Sequence, residues 1–127
     1  MVQICLPPPE RDIPLTSEVD VRLFVEWWFD LSDEPEELVA ISLDADRRIL
    51  AVTDFEEVVD PRWVEEVPHA PFLAAQATEA TSVVMASKRP FGSEALTAAE
   101  RRAQEAAARH GAAIGIELLD WVVVAEG

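Results

Sequence analysis

A capped helix between two apolar runs most constrains the fold of this chain. Thr97-Ala-Ala-Glu100 is a capping box, in which the hydroxyl and the carboxylate each accept a hydrogen bond from a backbone N–H at the helix start. The helix is predicted to span residues 97–110 and to end at Gly111, because glycine allows a left-handed turn. Ser82–Ala86 before it and Ile116–Val124 after it are apolar runs that predict buried strands.

An earlier amphipathic segment predicts a second long helix. Thr16 and Ser17 offer an N-cap. Apolar residues follow at the helical spacing of one buried face: Val21, Phe24, Val25, Trp28 and Leu31. Leu23 and Trp27 form a second apolar pair away from this face, which fits either a helix packed between two elements or a self-association surface.

The remaining patterns complete an α/β sandwich with a mixed sheet. We expect a hairpin of strands at 38–43 and 49–53, a short helix from Asp60 to Glu66, and an alanine-rich helix from Phe72 to Ala80. Leu6 to Leu15 contains four prolines, so residues 1–15 are predicted to be an extended proline-rich N-terminal arm. Residues 16–127 are predicted to form the single domain.

Charge limits the classes of partner. The 127 residues carry a formal net charge of −15, which disfavours direct binding to nucleic acid phosphates or to anionic membranes. A basic partner protein would suit this charge, although an acidic surface also simply favours solubility. No apolar run approaches the ~20 residues of a membrane span, and no basic-start signal segment is recognised.

Cysteine and histidine are scarce. Cys5 is the single cysteine, so no intrachain disulfide can form and a reduced, cytoplasmic setting is expected. Cys5 lies in an apolar run and is interpreted as a small hydrophobic residue. A nucleophilic role would need a base, and only His69 and His110 could supply one.

Several segments, in order, resemble the RadC-like family of JAB/MPN (JAMM-type) domains. The resemblance covers residues 17–127 and includes Glu36-Glu-Leu-Val-Ala-Ile-Ser-Leu-Asp44, Asp60-Pro-Arg-Trp-Val64, Ser82-Val-Val-Met-Ala86 and Gly115-Ile-Glu-Leu-Leu-Asp-Trp-Val-Val-Val124. It implies a cytidine-deaminase-like α/β sandwich whose mixed β-sheet is flanked by helices. Trp121 stands where the closing strand of the family has a histidine.

The stretch from Ser87 to Glu100 resembles the family's metal motif, His-x-His-Pro-x-Gly…Ser-x-x-Asp, with its ligands replaced. The resemblance implies a degenerate metal motif made of Glu36, Ser87, Arg89, Thr97 and Glu100. Ser87 and Arg89 stand at the two histidine positions, Glu100 at the aspartate, Thr97 at the serine, and Glu36 at the water-activating glutamate. Hydroxyl and guanidinium groups are not usual zinc ligands, so we expect no metal, no cofactor and no catalytic residue.

Local interpretations account for most of these residues. Glu100 is the partner of Thr97 in the capping box. Ser87 and Lys88 could be a nucleophile pair, but a solvated loop is favoured. Lys88, Arg89 and Gly92 form a candidate anion- or peptide-binding loop, in which Gly92 would leave backbone amides accessible.

Two functions are therefore weighed. The favoured one is a catalytically inactive pseudoenzyme that acts as a protein-interaction or structural module, with a protein partner or a homodimer as expected assemblies. The alternative is a metal-dependent hydrolase of the peptidase or isopeptidase type, using non-standard ligands drawn from Glu36, His69, Glu100 and Asp120. A role as a DNA-mimicking inhibitor comes third. His110 is expected at a helix C-terminus and Glu100 at the start of that helix, too far apart to share one ion.

Overall fold

The computed structural model of the protein describes residues 2–5, 13–55 and 60–125, with side chains from residue 13 onward. The strands are β1 (Val2–Cys5), β2 (Glu37–Leu43), β3 (Ile49–Phe55), β4 (Ser82–Arg89) and β5 (Glu117–Ala125). The helices are α1 (Glu18–Asp30), α2 (Arg62–Glu66), α3 (Leu73–Ala77) and α4 (Ala98–Ile114), and a 3₁₀ turn (Ala70–Phe72) precedes α3.

All five strands belong to one mixed sheet, in the order β1-β3-β2-β4-β5. β1, β3, β2 and β4 pair antiparallel, whereas β4 and β5 pair parallel. A parallel pair requires a crossover, which α4 provides. The α/β sandwich with a mixed sheet, predicted from the sequence, is confirmed.

Both faces of the sheet are covered by helices, so the domain has two cores. Side chains alternate across the strand, and in β2 Leu38 and Ala40 pack in the core beneath α4, whereas Val39 and Ile41 pack in the core beneath α1. Every residue of β2 is buried. The strand is nearly continuously apolar because it lies in the middle of this sandwich.

Helix α1 confirms the predicted cap and most of the predicted buried face. The Ser17 side chain accepts a hydrogen bond from the Asp20 N–H. Leu31 was predicted to be buried, but 67% of it is exposed, and Phe29 is buried instead. The helix ends at Asp30, so Leu31 lies just beyond its last residue and is not on the buried face of the helix.

Helix α4 has the predicted capping box but extends beyond the predicted end. It continues to Ile114, and the left-handed residue after it is Gly115, at φ 78°. Gly111 lies inside the last turns, where a β-carbon would come within 2.2 Å of the Ile116 carbonyl oxygen and 2.9 Å of the Phe72 ring. The prediction that Gly111 ends the helix was wrong, because this glycine serves a close contact and not a turn.

Other element boundaries also differ from prediction, most of them by one or two residues. β4 extends three residues past Ala86, to Arg89. The helix expected over 72–80 is shorter, because Ala70–Phe72 is a 3₁₀ turn and α3 ends at Ala77, two residues before Glu79 adopts a φ of 58°. Within the predicted N-terminal arm, Val2–Cys5 pair with β3 as an edge strand, and residues 6–12 lie outside the described residues.

Side chains cover part of the outer edge of β5. Glu94 accepts a hydrogen bond from the Ala125 N–H at 3.1 Å, and Arg22 donates to the Val123 carbonyl at 3.5 Å. The Ala125 hydrogen bond, followed by the hydrogen bond from Arg22, holds the pKa of Glu94 below its usual value. Charged side chains at an edge hinder pairing with another strand.

Within the described residues, no helix is long and apolar enough to cross a bilayer.

Candidate functional site

A cleft of about 340 Å³ lies where the end of β4 meets the start of α4. Its lining includes all five positions of the predicted degenerate motif: Glu36, Ser87, Arg89, Thr97 and Glu100. The fold therefore brings together residues that are separated by up to 64 positions in the chain. Asp60 and Pro61, just before α2, also line the cleft; the sequence predicts them at the start of a short helix and as a family landmark, but not at a site.

The Ser87 hydroxyl accepts a hydrogen bond from a side chain of the neighbouring strand. The indole N–H of Trp121, on β5, donates to Ser87 Oγ at 2.7 Å. Trp121 is 3% exposed, and a buried indole N–H needs such an acceptor. The tryptophan at the family's histidine position and the serine at its first ligand position thus satisfy each other.

Arg89 and Glu100 form the centre of the cleft. Arg89 Nη2 donates to Glu100 Oε1 at 3.1 Å and to the Ala95 carbonyl at 3.0 Å. Glu100 Oε1 also accepts the Thr97 backbone N–H at 2.8 Å, and Thr97 Oγ1 accepts the Glu100 N–H at 3.1 Å. Only 6% of the Glu100 side chain is exposed, so this carboxylate is buried with a cation and a backbone donor as compensation.

These residues do not fit a metal ion. A guanidinium, which stays protonated, holds the carboxylate that would stand at a ligand position. Within the described residues no group of three or more His, Cys, Asp or Glu side chains could hold a metal. No catalytic step can be derived through a metal at this cleft.

Of the alternative ligands, Glu36 and Glu100 line the cleft, whereas Asp120 and His69 lie apart from it. Asp120 lines a separate pocket beside α1, with Leu15 and Arg47, and its Oδ1 accepts the Trp121 N–H at 2.7 Å. The rings of His69 and His110 lie 6.2 Å from each other. Ten residues of α4 separate His110 from Glu100, which is about 15 Å along the helix axis. The four residues Glu36, His69, Glu100 and Asp120 therefore do not converge on one point, since only Glu36 and Glu100 share the cleft.

Lys88 occupies the opposite face of the sheet from Arg89. It is 5% exposed, and its Nζ donates to the carbonyl oxygens of Phe29 and Ser32, each at 3.2 Å. A cation is favourable there because the carbonyl groups at the C-terminus of α1 form the negative end of the helix dipole. The segment was predicted to be a loop, but β4 includes both residues and strand side chains alternate.

The candidate anion- or peptide-binding loop therefore changes in composition. Lys88 cannot join Arg89 in holding one ligand, because its ammonium lies beneath α1. Gly92 adopts a positive φ of 106° with open space around it. Binding of an anion or peptide at this segment stays a prediction, with Arg89 as its one remaining cation.

Asp60 is neutralised within its own turn. Its carboxylate accepts hydrogen bonds from the backbone N–H of Arg62 at 2.9 Å and from the Arg62 side chain at 2.7 Å. These bonds from Arg62, the side-chain bond first, lower the pKa of Asp60. The Asp60 carboxylate is therefore bonded to Arg62 at the start of α2. Glu36, by contrast, is an exposed carboxylate that lines the cleft.

A mixed sheet covered by helices, with a cleft between its fourth strand and the following helix, defines a domain of the JAB class. The sequence model of the family described as RadC-like JAB domain matches residues 15–127. The chain belongs to this family. Among curated proteins, no relative matches the chain.

Proposed function

We propose that this chain is a catalytically inactive, metal-independent JAB domain that works as a protein-interaction or structural module. One observation carries the proposal: the Arg89 guanidinium is bonded to the buried Glu100 carboxylate in the cleft. The protein itself supplies the positive charge beside this carboxylate.

Hydrolysis by metal-bound water needs a cation that lowers the pKa of the water and a carboxylate that moves its proton. Arg89 cannot coordinate water as a Lewis acid, and Ser87 Oγ and Glu100 Oε1 each already accept a hydrogen bond within the domain. The competing proposal, a hydrolase with non-standard ligands, is favoured only by the exposed Glu36 at the cleft.

Metal content and metal-dependent stability test the proposal. Purified protein is analysed for metals, and its thermal unfolding is followed with chelator and with added zinc. We expect no stoichiometric metal and an unchanged Tm, since no group of ligands converges in the described residues. Near-stoichiometric metal bound at the cleft, together with a lower Tm on chelation, would overturn the proposal.

Two variants locate any zinc effect. His110→Gln removes one of the two neighbouring histidines, and Glu100→Gln removes the buried carboxylate of the cleft. A zinc effect lost only in His110→Gln belongs to the histidine pair and leaves the proposal intact. An effect lost only in Glu100→Gln belongs to the cleft and supports the hydrolase alternative.

A further inference from the structure

Helix α1 carries an apolar stripe on its solvent side. We define the α1 stripe as Val19, Leu23 and Trp27 on the helix together with Leu31 at its C-cap, which repeat every four residues. Residues four apart are surface neighbours on a helix. Val19, Leu23 and Leu31 are 66%, 60% and 67% exposed, and Trp27 is half-buried.

The core accounts for only part of this stripe, because Trp27 packs against the core beneath α1 whereas Val19, Leu23 and Leu31 are exposed. The buried residues of α1 are Val21, Phe24, Val25 and Phe29, which pack in the core beneath the helix. α1 is therefore apolar on its inner side and on part of its outer side. A row of residues four apart also forms the ridge that packs into the groove of a second helix.

The helix presents the stripe rigidly. Ser17 caps its N-terminus, and Lys88 binds carbonyl oxygens at its C-terminus. The Trp27 ring lies 5.6 Å from Phe24 and 6.4 Å from Trp28, measured between ring centroids. Fixed aromatic side chains reduce the entropy that binding costs, and tryptophan is frequent at binding hot spots.

Carboxylates border the stripe. α1 contains four acidic residues and one arginine, and that arginine, Arg22, pairs with Glu26 at 3.0 Å and also with Glu94. Glu26 and Asp30 lie three and seven residues after Leu23, on the same side of the helix. A second copy would bring like charges together, which is unfavourable, whereas a basic partner would be complementary.

We infer that the α1 stripe is a docking surface for a basic amphipathic helix of a partner protein. The partner would place apolar side chains against Leu23 and Trp27 and cationic side chains near Glu26 and Asp30. This inference rests on the proposed function and identifies the class of partner that the module would bind.

A synthetic helix provides the probe. A fluorescently labelled peptide of about 18 residues, with leucine on one helical face and lysine elsewhere, is titrated with the full chain and followed by anisotropy. Leu23→Gln is compared with Leu73→Gln, because Leu73 is 57% exposed on α3, across the sheet. Both variants lose an exposed leucine from a helix and keep the charge.

We expect Leu23→Gln to weaken binding about fivefold to tenfold and Leu73→Gln to leave it unchanged. Added salt should weaken binding to the unmodified chain, since charges border the stripe. Equal binding by both variants would overturn the inference. Sedimentation that shows a dimer made monomeric by Leu23→Gln would also overturn it, because a second copy would then cover the stripe.

The metal test separates this inference from the proposed function. A chain that ignores zinc but shows no dependence on Leu23 disproves the docking surface and leaves metal independence standing. A chain that binds zinc in the cleft but needs Leu23 to bind the peptide disproves metal independence and leaves the docking surface standing.

Discussion

Among residue pairs, Arg89–Glu100 differs from the other described ion pairs in its burial. Side-chain exposure is 22% for Arg89 and 6% for Glu100, against 54% and 40% for Arg102 and Glu65. Removing one partner of a buried pair leaves an uncompensated charge. Water compensates such a loss at an exposed pair.

Arg89→Met should lower the free energy of unfolding by about 2 kcal/mol, less than a fully buried pair would lose because the guanidinium is partly hydrated. Arg102→Met should cost about 0.5 kcal/mol or less. Urea unfolding at neutral pH measures both. Equal costs would show that the cleft pair contributes no more than a surface pair, and Arg89→Met combined with Glu100→Gln would then show no coupling.

At the scale of elements, the two glycines near the end of α4 have different roles. Gly111 lies where the helix crosses Phe72 and the backbone of Ile116, whereas Gly115 has open space around it and a left-handed φ of 78°. A side chain is excluded at Gly111 by lack of space, and it is disfavoured at Gly115 by the left-handed backbone conformation.

Gly111→Ala should lower the free energy of unfolding by about 1–3 kcal/mol, because a β-carbon would overlap backbone that must shift. Helix propensity alone predicts the opposite sign, a gain of roughly 1 kcal/mol. Gly115→Ala serves as comparison, with a cost of about 1 kcal/mol from backbone strain. Thermal and urea unfolding report the sign, and a more stable Gly111→Ala would disprove the close contact.

The sequence predicted those features that depend on neighbours in the chain. The capping box of Thr97 and Glu100, the hairpin and the succession of strands and helices follow from local pattern and periodicity. The partner of Lys88 is 59 residues away, and that of Trp121 is 34 residues away. No local pattern contains such pairs. Extending β4 by three residues would have shown that Lys88 and Arg89 face opposite sides.

For the whole molecule, electrostatic self-repulsion is the main consequence of composition. The chain has 25 acidic and 10 basic residues. Four of the arginines already form ion pairs: Arg22, Arg62, Arg89 and Arg102. The remaining carboxylates repel one another in the compact state. Salt screens this repulsion over distances beyond about 10 Å.

Raising sodium chloride from about 0.01 M to 0.5 M should therefore stabilise the fold, by roughly 1 kcal/mol or about 3–6 °C in Tm. Potassium fluoride at the same ionic strength should give the same shift if screening is the cause. Calorimetry or circular dichroism measures it. A Tm that falls with salt would show that the specific ion pairs outweigh the general repulsion.

The Arg89 guanidinium provides the positive charge beside Glu100 without any ion from the medium. A cation carried on a side chain is synthesised with every copy of the protein, in a fixed ratio of one to one, and it cannot dissociate or be exchanged for a competing ion. Neutralisation of Glu100 by this side chain needs no loading step, and it does not vary with the metal content of the surrounding medium. Glu100 is neutralised as soon as β4 and α4 have folded together.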